Sequence, residues 1–527
     1  MELKSQAPNH PVAGSSGRWL LIARWTVHVL LFVGLLVFVF VGARARFFSP
    51  LCPDEEGFLF DGWLVATGSV PYRDFFEAKP PVIFFANALG LTLFGLKGFL
   101  YRIIPTAVAA SSIVLLYPAM IRRRIAPWLA ALLAAQAALW LLSSDFHDGG
   151  LNDSETYGFA LTLLGFSLAS LSNLFKARSG KVALQLLGGI CFGLAVLSKE
   201  LFVLSVIPAW LLAARLPENG KWDWRRLGFS GLGGLTVGLS FVVYLVANSA
   251  FARYWELLRF YRTFAANYCI DIGRFPRVSG MAVIWQSWAM LRQELYNVSH
   301  LAFVLALGFA LLLLLWRKPK GRWIDLVIAL LAVLGGIMAI SAGHCLWRHY
   351  YLMGTTGLLL LGVVGAQALS DYFSERRVLV PLAVGLLLLG LFVFVGKGPI
   401  RTALATTPAL DSRPAVDPLL TQTIEQHSKP GEYILLTATP LVYIMMDRKS
   451  PLPIAFFLDE ILPYDPTLQI DSLRAKLQQR IPRVCYLGGI YYARQGTYRR
   501  LLFEPFLAEH HYIKINDQLW YLPDGQN

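Results

Sequence analysis

Residues 52–81 read CPDEEGFLFDGWLVATGSVPYRDFFEAKPP. Three consecutive acids, Asp54, Glu55 and Glu56, precede a lysine, Lys79, that is followed by Pro80 and Pro81. A carboxylate beside a hydroxyl can take its proton as general base. Lysine and arginine can hold a phosphate, arginine through paired hydrogen bonds. Residues of both kinds recur, Arg73 within the same stretch and Asp153, Glu155, Lys199, Arg348 and His349 further on. A substrate carrying a sugar on a phosphate would use both sets. When that sugar is transferred, the departing phosphate needs its charge stabilised. The incoming hydroxyl needs activation on the opposite face of the sugar.

Each piece also has a plainer role. Acids suit a helix start, where they meet the positive end of the macrodipole. Lys79 can snorkel toward lipid headgroups, and Pro81 can open a helix. Asn152-Asp153-Ser154 can cap the helix that follows. Arg348-His349-Tyr350-Tyr351 can form part of an interfacial belt.

What must position these residues is a membrane protein. The chain has 527 residues, of which 56% are hydrophobic and 15% charged, against about 25% charged in an ordinary soluble domain. Mean hydropathy is +0.53. A bilayer core of ~30 Å takes about 20 apolar residues per helix. Runs of roughly that length lie near 19–43, 100–120, 127–144, 157–175, 182–198, 201–215, 228–249, 300–316, 324–341, 350–370 and 378–396, about eleven spans in all. The run 82–96 is shorter, holds Asn87, and reads as an interfacial helix.

Loop charge sets the orientation. Arg122, Arg123 and Arg124; Lys176, Arg178 and Lys181; Arg215, Lys221, Arg225 and Arg226; Arg317, Lys318, Lys320 and Arg322; and Arg376 and Arg377 fall in alternate loops. By the positive-inside rule these loops and the N-terminus are cytoplasmic. The acidic loop 44–99, the loop 145–156 and the tail are then external. The net charge of +14 is thus an orientation signal, and nucleic acid is not an expected partner. The five cysteines have no C-x-x-C spacing, so neither a disulfide framework nor a zinc site is expected. Ionisable residues gather at the outer mouth rather than at mid-bilayer, which favours chemistry there over transport. Residues 397–527 have turns, period-2 runs, an amphipathic stretch near 470–481 and a hairpin signal at Asn516-Asp517. They read as a small external α/β domain.

In this order the pieces resemble the first outer loop of GT-C-type integral membrane glycosyltransferases. The resemblance is to the branch holding protein O-mannosyltransferases, lipid A aminoarabinose transferases and rhizobial galacturonosyltransferases. It is carried by Asp54-Glu55, the turn Gly68 to Tyr72, Lys79-Pro80-Pro81, Phe94-Gly95 and Arg102, with LNDSETYGFALTLLGFSLA, GLAVLSKE and RHYYLMGTTGLLLL later, over residues 19–396. Glu77 is separated from Lys79 by Ala78 where relatives often have the two adjacent, and Phe58 stands where tyrosine is common.

The resemblance implies an α-helical polytopic GT-C domain, 1–396, and an inverting transferase. A sugar would move from a polyprenyl-phosphate donor in the bacterial inner membrane to a periplasmic acceptor hydroxyl on lipid A, a glycan or a protein. It implies Asp54 as general base with Glu55 orienting it or its loop. Lys79 would contact the lipid phosphate, and the acids Asp153 and Glu155 of the second outer loop would support the acceptor side; Arg348, Arg73 and His349 are expected to help hold the phosphate from their own placement at the outer mouth. No metal ligands are assigned; a divalent cation is compatible with the chemistry. An O-antigen polymerase or ligase, or a lipid or sugar transporter, is the alternative.

Overall fold

The computed structural model describes residues 15–49, 51–77, 79–142, 151–260, 281–295, 307–308, 322–342, 348–374, 416–452, 454, 457, 459, 466–488 and 496–524. Nine of the predicted span positions carry an apolar helix. Seven of these helices are long and apolar enough to cross a membrane: Trp25–Phe47, Phe99–Arg122, Ser154–Leu174, Arg178–Ser198, Trp224–Ala247, Trp323–Ala342 and Tyr351–Tyr372. Pro127–Leu142 and Glu200–Ala214 are shorter. At 1.5 Å per residue they reach only about 24 Å, so the expectation of full spans there is not met by length. The expected spans at 300–316 and 378–396 lie outside the described residues, apart from 307–308. The chain is a multi-pass membrane protein.

Helices are named α1 (Ser15–Phe47), α2 (Pro53–Ala66), α3 (Val82–Phe94), α4 (Ile103–Arg122), α5 (Pro127–Leu142), α6 (Ser154–Leu171), α7 (Arg178–Ser198), α8 (Val203–Ala214), α9 (Trp224–Ala247), α10 (Met281–Leu295), α11 (Trp323–Ala342) and α12 (Tyr351–Ser374). α6 and α12 form the centre, and nearly all of the spanning part of α12 is buried. α1 and α9 lie outside, with Val29, Val33, Val37 and Phe40 of α1 and Leu235, Leu239 and Val243 of α9 exposed. Such apolar faces suit lipid.

The basic loops meet at one end. The Arg123 guanidinium donates to the carbonyls of Leu212 and Arg215, Arg215 pairs with Asp325 at 2.6 Å, and Gln367 donates to the Arg123 carbonyl. The starts of α6, α8 and α12 and the end of α7 lie at the other end, with α2 and α3.

α2 begins as its sequence dictates: Pro53 occupies its first turn, followed by Asp54, Glu55 and Glu56. It packs on α3. At Gly62 the two helices come so close that a Cβ would lie 2.4 Å from the Asn87 Cβ. α3 is apolar on both sides. Ile83, Phe84, Ala88 and Gly90 are buried, while Phe85, Leu89 and Leu93 form an exposed stripe, the pattern of a helix with one face on protein and one in lipid.

The C-terminal region has a four-stranded sheet in the order β1-β2-β4-β3, with β1 Leu435–Leu436, β2 Val484–Tyr486, β3 Ile513–Lys514 and β4 Leu519–Tyr521. β1 and β2 are parallel, and β3 and β4 form the expected hairpin, pairing Ile513 with Tyr521. The amphipathic stretch is the helix Ile470–Gln479. This region is not packed apart from the outer loop. Phe60 of α2 shares a core with Ile434, Leu436, Val442 and Tyr443, its ring 5.2 Å from that of Tyr443.

Candidate active site at the helix ends opposite the basic loops

The loop between α2 and α3 is locked by its own side chains. Asp74 accepts the Val70 N–H at 2.7 Å. Tyr72 has φ +71°, an uncommon conformation for a bulky residue that surrounding structure must hold. Its ring packs on Tyr254 at 4.8 Å and Phe84 at 6.2 Å, and its hydroxyl donates to the Lys79 carbonyl at 2.9 Å. The Lys79 N–H donates to Glu77 at 3.0 Å. The half-buried Lys79 amine then lies 5.5 Å from the Phe58 ring centre, within cation–π reach.

Glu55 is fully committed. Both oxygens accept from Arg102, at 2.8 and 2.6 Å, and Tyr101 adds a third bond at 2.8 Å. Arg102 also donates to the Phe47 and Ser49 carbonyls. This buried fork ties the end of α1 and the first turn of α2 to the start of the next span. Asp54, one residue earlier, is exposed. Burial, then the Glu55 and Asp54 carboxylates, with a smaller part from Asp153, push the Cys52 thiol up to about 12.

Asp153 caps α6, accepting the Thr156 N–H at 2.6 Å. Asn152 donates to Asn87, which donates to the Phe58 carbonyl at 3.2 Å. The polar residue inside the apolar run 82–96 is therefore the tie between the two outer loops.

The sequence groups Glu155 with Asp153 on the acceptor side; the structure separates them. Two residues further round a helix the side chain points elsewhere, and Glu155 is buried among cations. Its Oε1 accepts the Lys199 amine and is 4.0 Å from His349 Nε2; Oε2 accepts the Ser154 hydroxyl at 2.7 Å. The Lys199 amine lies 3.5 Å from the Tyr350 ring centre. Lys79 is close enough to act on the charges of both Glu155 and Glu200. Lys199, between two apolar helices and beside an acid, was visible as an outer-edge cation; its bond to Glu155, 44 residues away, was not. Arg73 lies at the exposed rim, bonded to Asp74 and to the Asn248 carbonyl, and is not among the groups that meet at Glu155. Arg348 opens the short turn Arg348–Tyr350; its side chain lies outside the described residues.

Two other acids of this loop hold protons more tightly than usual. Burial, then Glu77, raises Asp61 well above the carboxylate range. Burial, then Glu55, raises Glu56 to about 7. Folding thus favours protonated Glu56, and ionising it as pH rises costs stability. Glu56→Gln removes that cost. Its gain in unfolding temperature over wild type should grow between about pH 4.3, the unfolded value, and pH 7, then level off. A gain that is the same at pH 4.5 and pH 8 would contradict this.

No protein-family model and no curated protein matches the sequence. Solved structures do resemble it. ArnT from Cupriavidus metallidurans bound to undecaprenyl phosphate aligns with 94% of this chain and 98% of its own, at 16% identity and a TM-score of 0.52. The apo oligosaccharyltransferase of Archaeoglobus fulgidus aligns with 94% of this chain and 74% of its own, at 12% identity and a TM-score of 0.48. The same organism's AglB, in complex with an inhibitory peptide and a dolichol-phosphate, gives the same coverage and identity with a TM-score of 0.45. The likeness to ArnT extends over nearly the whole of both chains, and the chain carries the fold of the GT-C-type integral membrane glycosyltransferases.

Proposed function

We propose that this protein is an inverting glycosyltransferase that uses a polyprenyl-phosphate sugar as donor. The observation that carries the proposal is the meeting of Lys199 and His349 at Glu155, where α6, α7 and α12 come together, with Lys79 near enough to act on the Glu155 charge. A lipid phosphate entering from the membrane would meet Lys79 and Lys199, with Arg348 at the mouth. Asp54 takes the proton of the acceptor hydroxyl. The hydroxyl oxygen attacks the sugar's anomeric carbon, whose bond to the phosphate oxygen breaks on the opposite face, and that electron pair stays on the phosphate. Glu55 keeps the Asp54 turn in place through Arg102. Residues 397–527 form an external domain beside the acceptor path; the setting is the bacterial inner membrane, with the site on the periplasmic side and lipid A, a glycan or a protein as acceptor.

The test is binding of undecaprenyl phosphate to the purified protein in nanodiscs. Wild type should bind it, and Lys79→Ala or Lys199→Ala should weaken binding by about 10- to 100-fold, the worth of one charged hydrogen bond. Both variants binding like wild type would contradict the proposed phosphate site. Turnover of a panel of polyprenyl-phosphate sugars then identifies the donor.

A further inference from the structure

A site that holds an anion needs cations, yet the centre of this one is a carboxylate. Glu155 is 1% exposed and shares its Oε1 between the Lys199 amine and, at 4.0 Å, His349. Any phosphate that approaches Lys199 must compete with Glu155 and feels its like charge. Glu200 is the next residue to Lys199, but of the two only Glu155 is hydrogen-bonded to a cation among the described residues.

The reaction supplies a reason for this arrangement. The donor is a phosphodiester with one negative charge. Breaking the sugar–oxygen bond leaves the electron pair on the phosphate, while the acceptor proton goes to Asp54. The lipid product is then a phosphomonoester, and well above its second pKa of about 6 it carries two charges. Bare cations would hold this product more tightly than the donor and leave the site blocked.

We infer that Glu155 matches the cation set to the single charge of a phosphodiester and thereby weakens its hold on the dianionic monoester left by transfer. This rests on the lipid-phosphate reading of the site. The role is one of specificity, exerted through Lys199 and through repulsion, rather than of bond making.

The probes are undecaprenyl phosphate and its monomethyl ester, a diester without a sugar, bound to the full-length protein in nanodiscs at pH 8. Wild type should bind the two within about threefold of each other. Glu155→Gln, which keeps the shape and can still accept from Lys199, should prefer the monoester by about tenfold or more, the effect of removing a near like charge. Retained diester binding reports that the variant's site is folded. A wild type that itself prefers the monoester tenfold overturns the inference without any variant. So does a Glu155→Gln protein that binds both lipids in the wild-type ratio. A wild type that binds neither lipid removes the phosphate site, and the inference falls with it.

Discussion

Asp54→Asn is expected to lower turnover by about 100-fold or more, the usual worth of a positioned general base, and to leave undecaprenyl phosphate binding unchanged within about threefold. The side chain is exposed in the first turn of α2, and the fold there is held by the neighbouring Glu55 fork rather than by Asp54. Asparagine preserves size and a carbonyl oxygen but cannot accept a proton at neutral pH. The loss should therefore appear in kcat and not in stability or donor affinity. Near-normal turnover would move the base role to another acid, Asp153 or Glu155, and a parallel loss of unfolding temperature would make Asp54 structural.

Arg102→Ala should be the most destabilising of the single changes considered. It takes from the Glu55 carboxylate, 1% exposed, both bonds from Arg102, leaving the Tyr101 hydroxyl alone on a buried charge, and frees the Phe47 and Ser49 carbonyls. Removing one partner of a buried pair costs about 3–5 kcal/mol. Arg102→Lys should recover only part, because an ammonium cannot make the forked contact. Replacing both partners, as in Glu55→Gln with Arg102→Met, should be less damaging than Arg102→Ala alone, since no unpaired charge remains. Unfolding in detergent reads all three. An Arg102→Ala protein within about 1 kcal/mol of wild type would show that the fork is dispensable.

The sequence showed much of the framework because membrane spans and loop charges are local signals. The run 82–96 was legible as a short interfacial helix, and a helix start was one of the roles open to the three acids that begin α2. What local pattern could not show was pairing. Glu55 and Arg102 are 47 residues apart, Asn152 and Asn87 are 65 apart, and neither pair has a periodic signature. The same limit hid the split between Asp153 and Glu155. Both fall in one polar stretch, and only the helix geometry makes one a cap and sends the other to Lys199. The contact of Phe60 with Tyr443 is likewise invisible in composition, which says nothing of what the tail packs against.

The most direct measurement is a cryo-EM structure of the full-length protein in nanodiscs with undecaprenyl phosphate. We predict phosphate density within hydrogen-bonding distance, about 3 Å, of the Lys79 and Lys199 amines, with the polyprenyl chain leaving into the membrane and Asp54 facing the space beyond the phosphate. Phosphate density at the basic-loop end of the helices, or lipid bound at the outer end with neither lysine touching its headgroup, would contradict the proposed site.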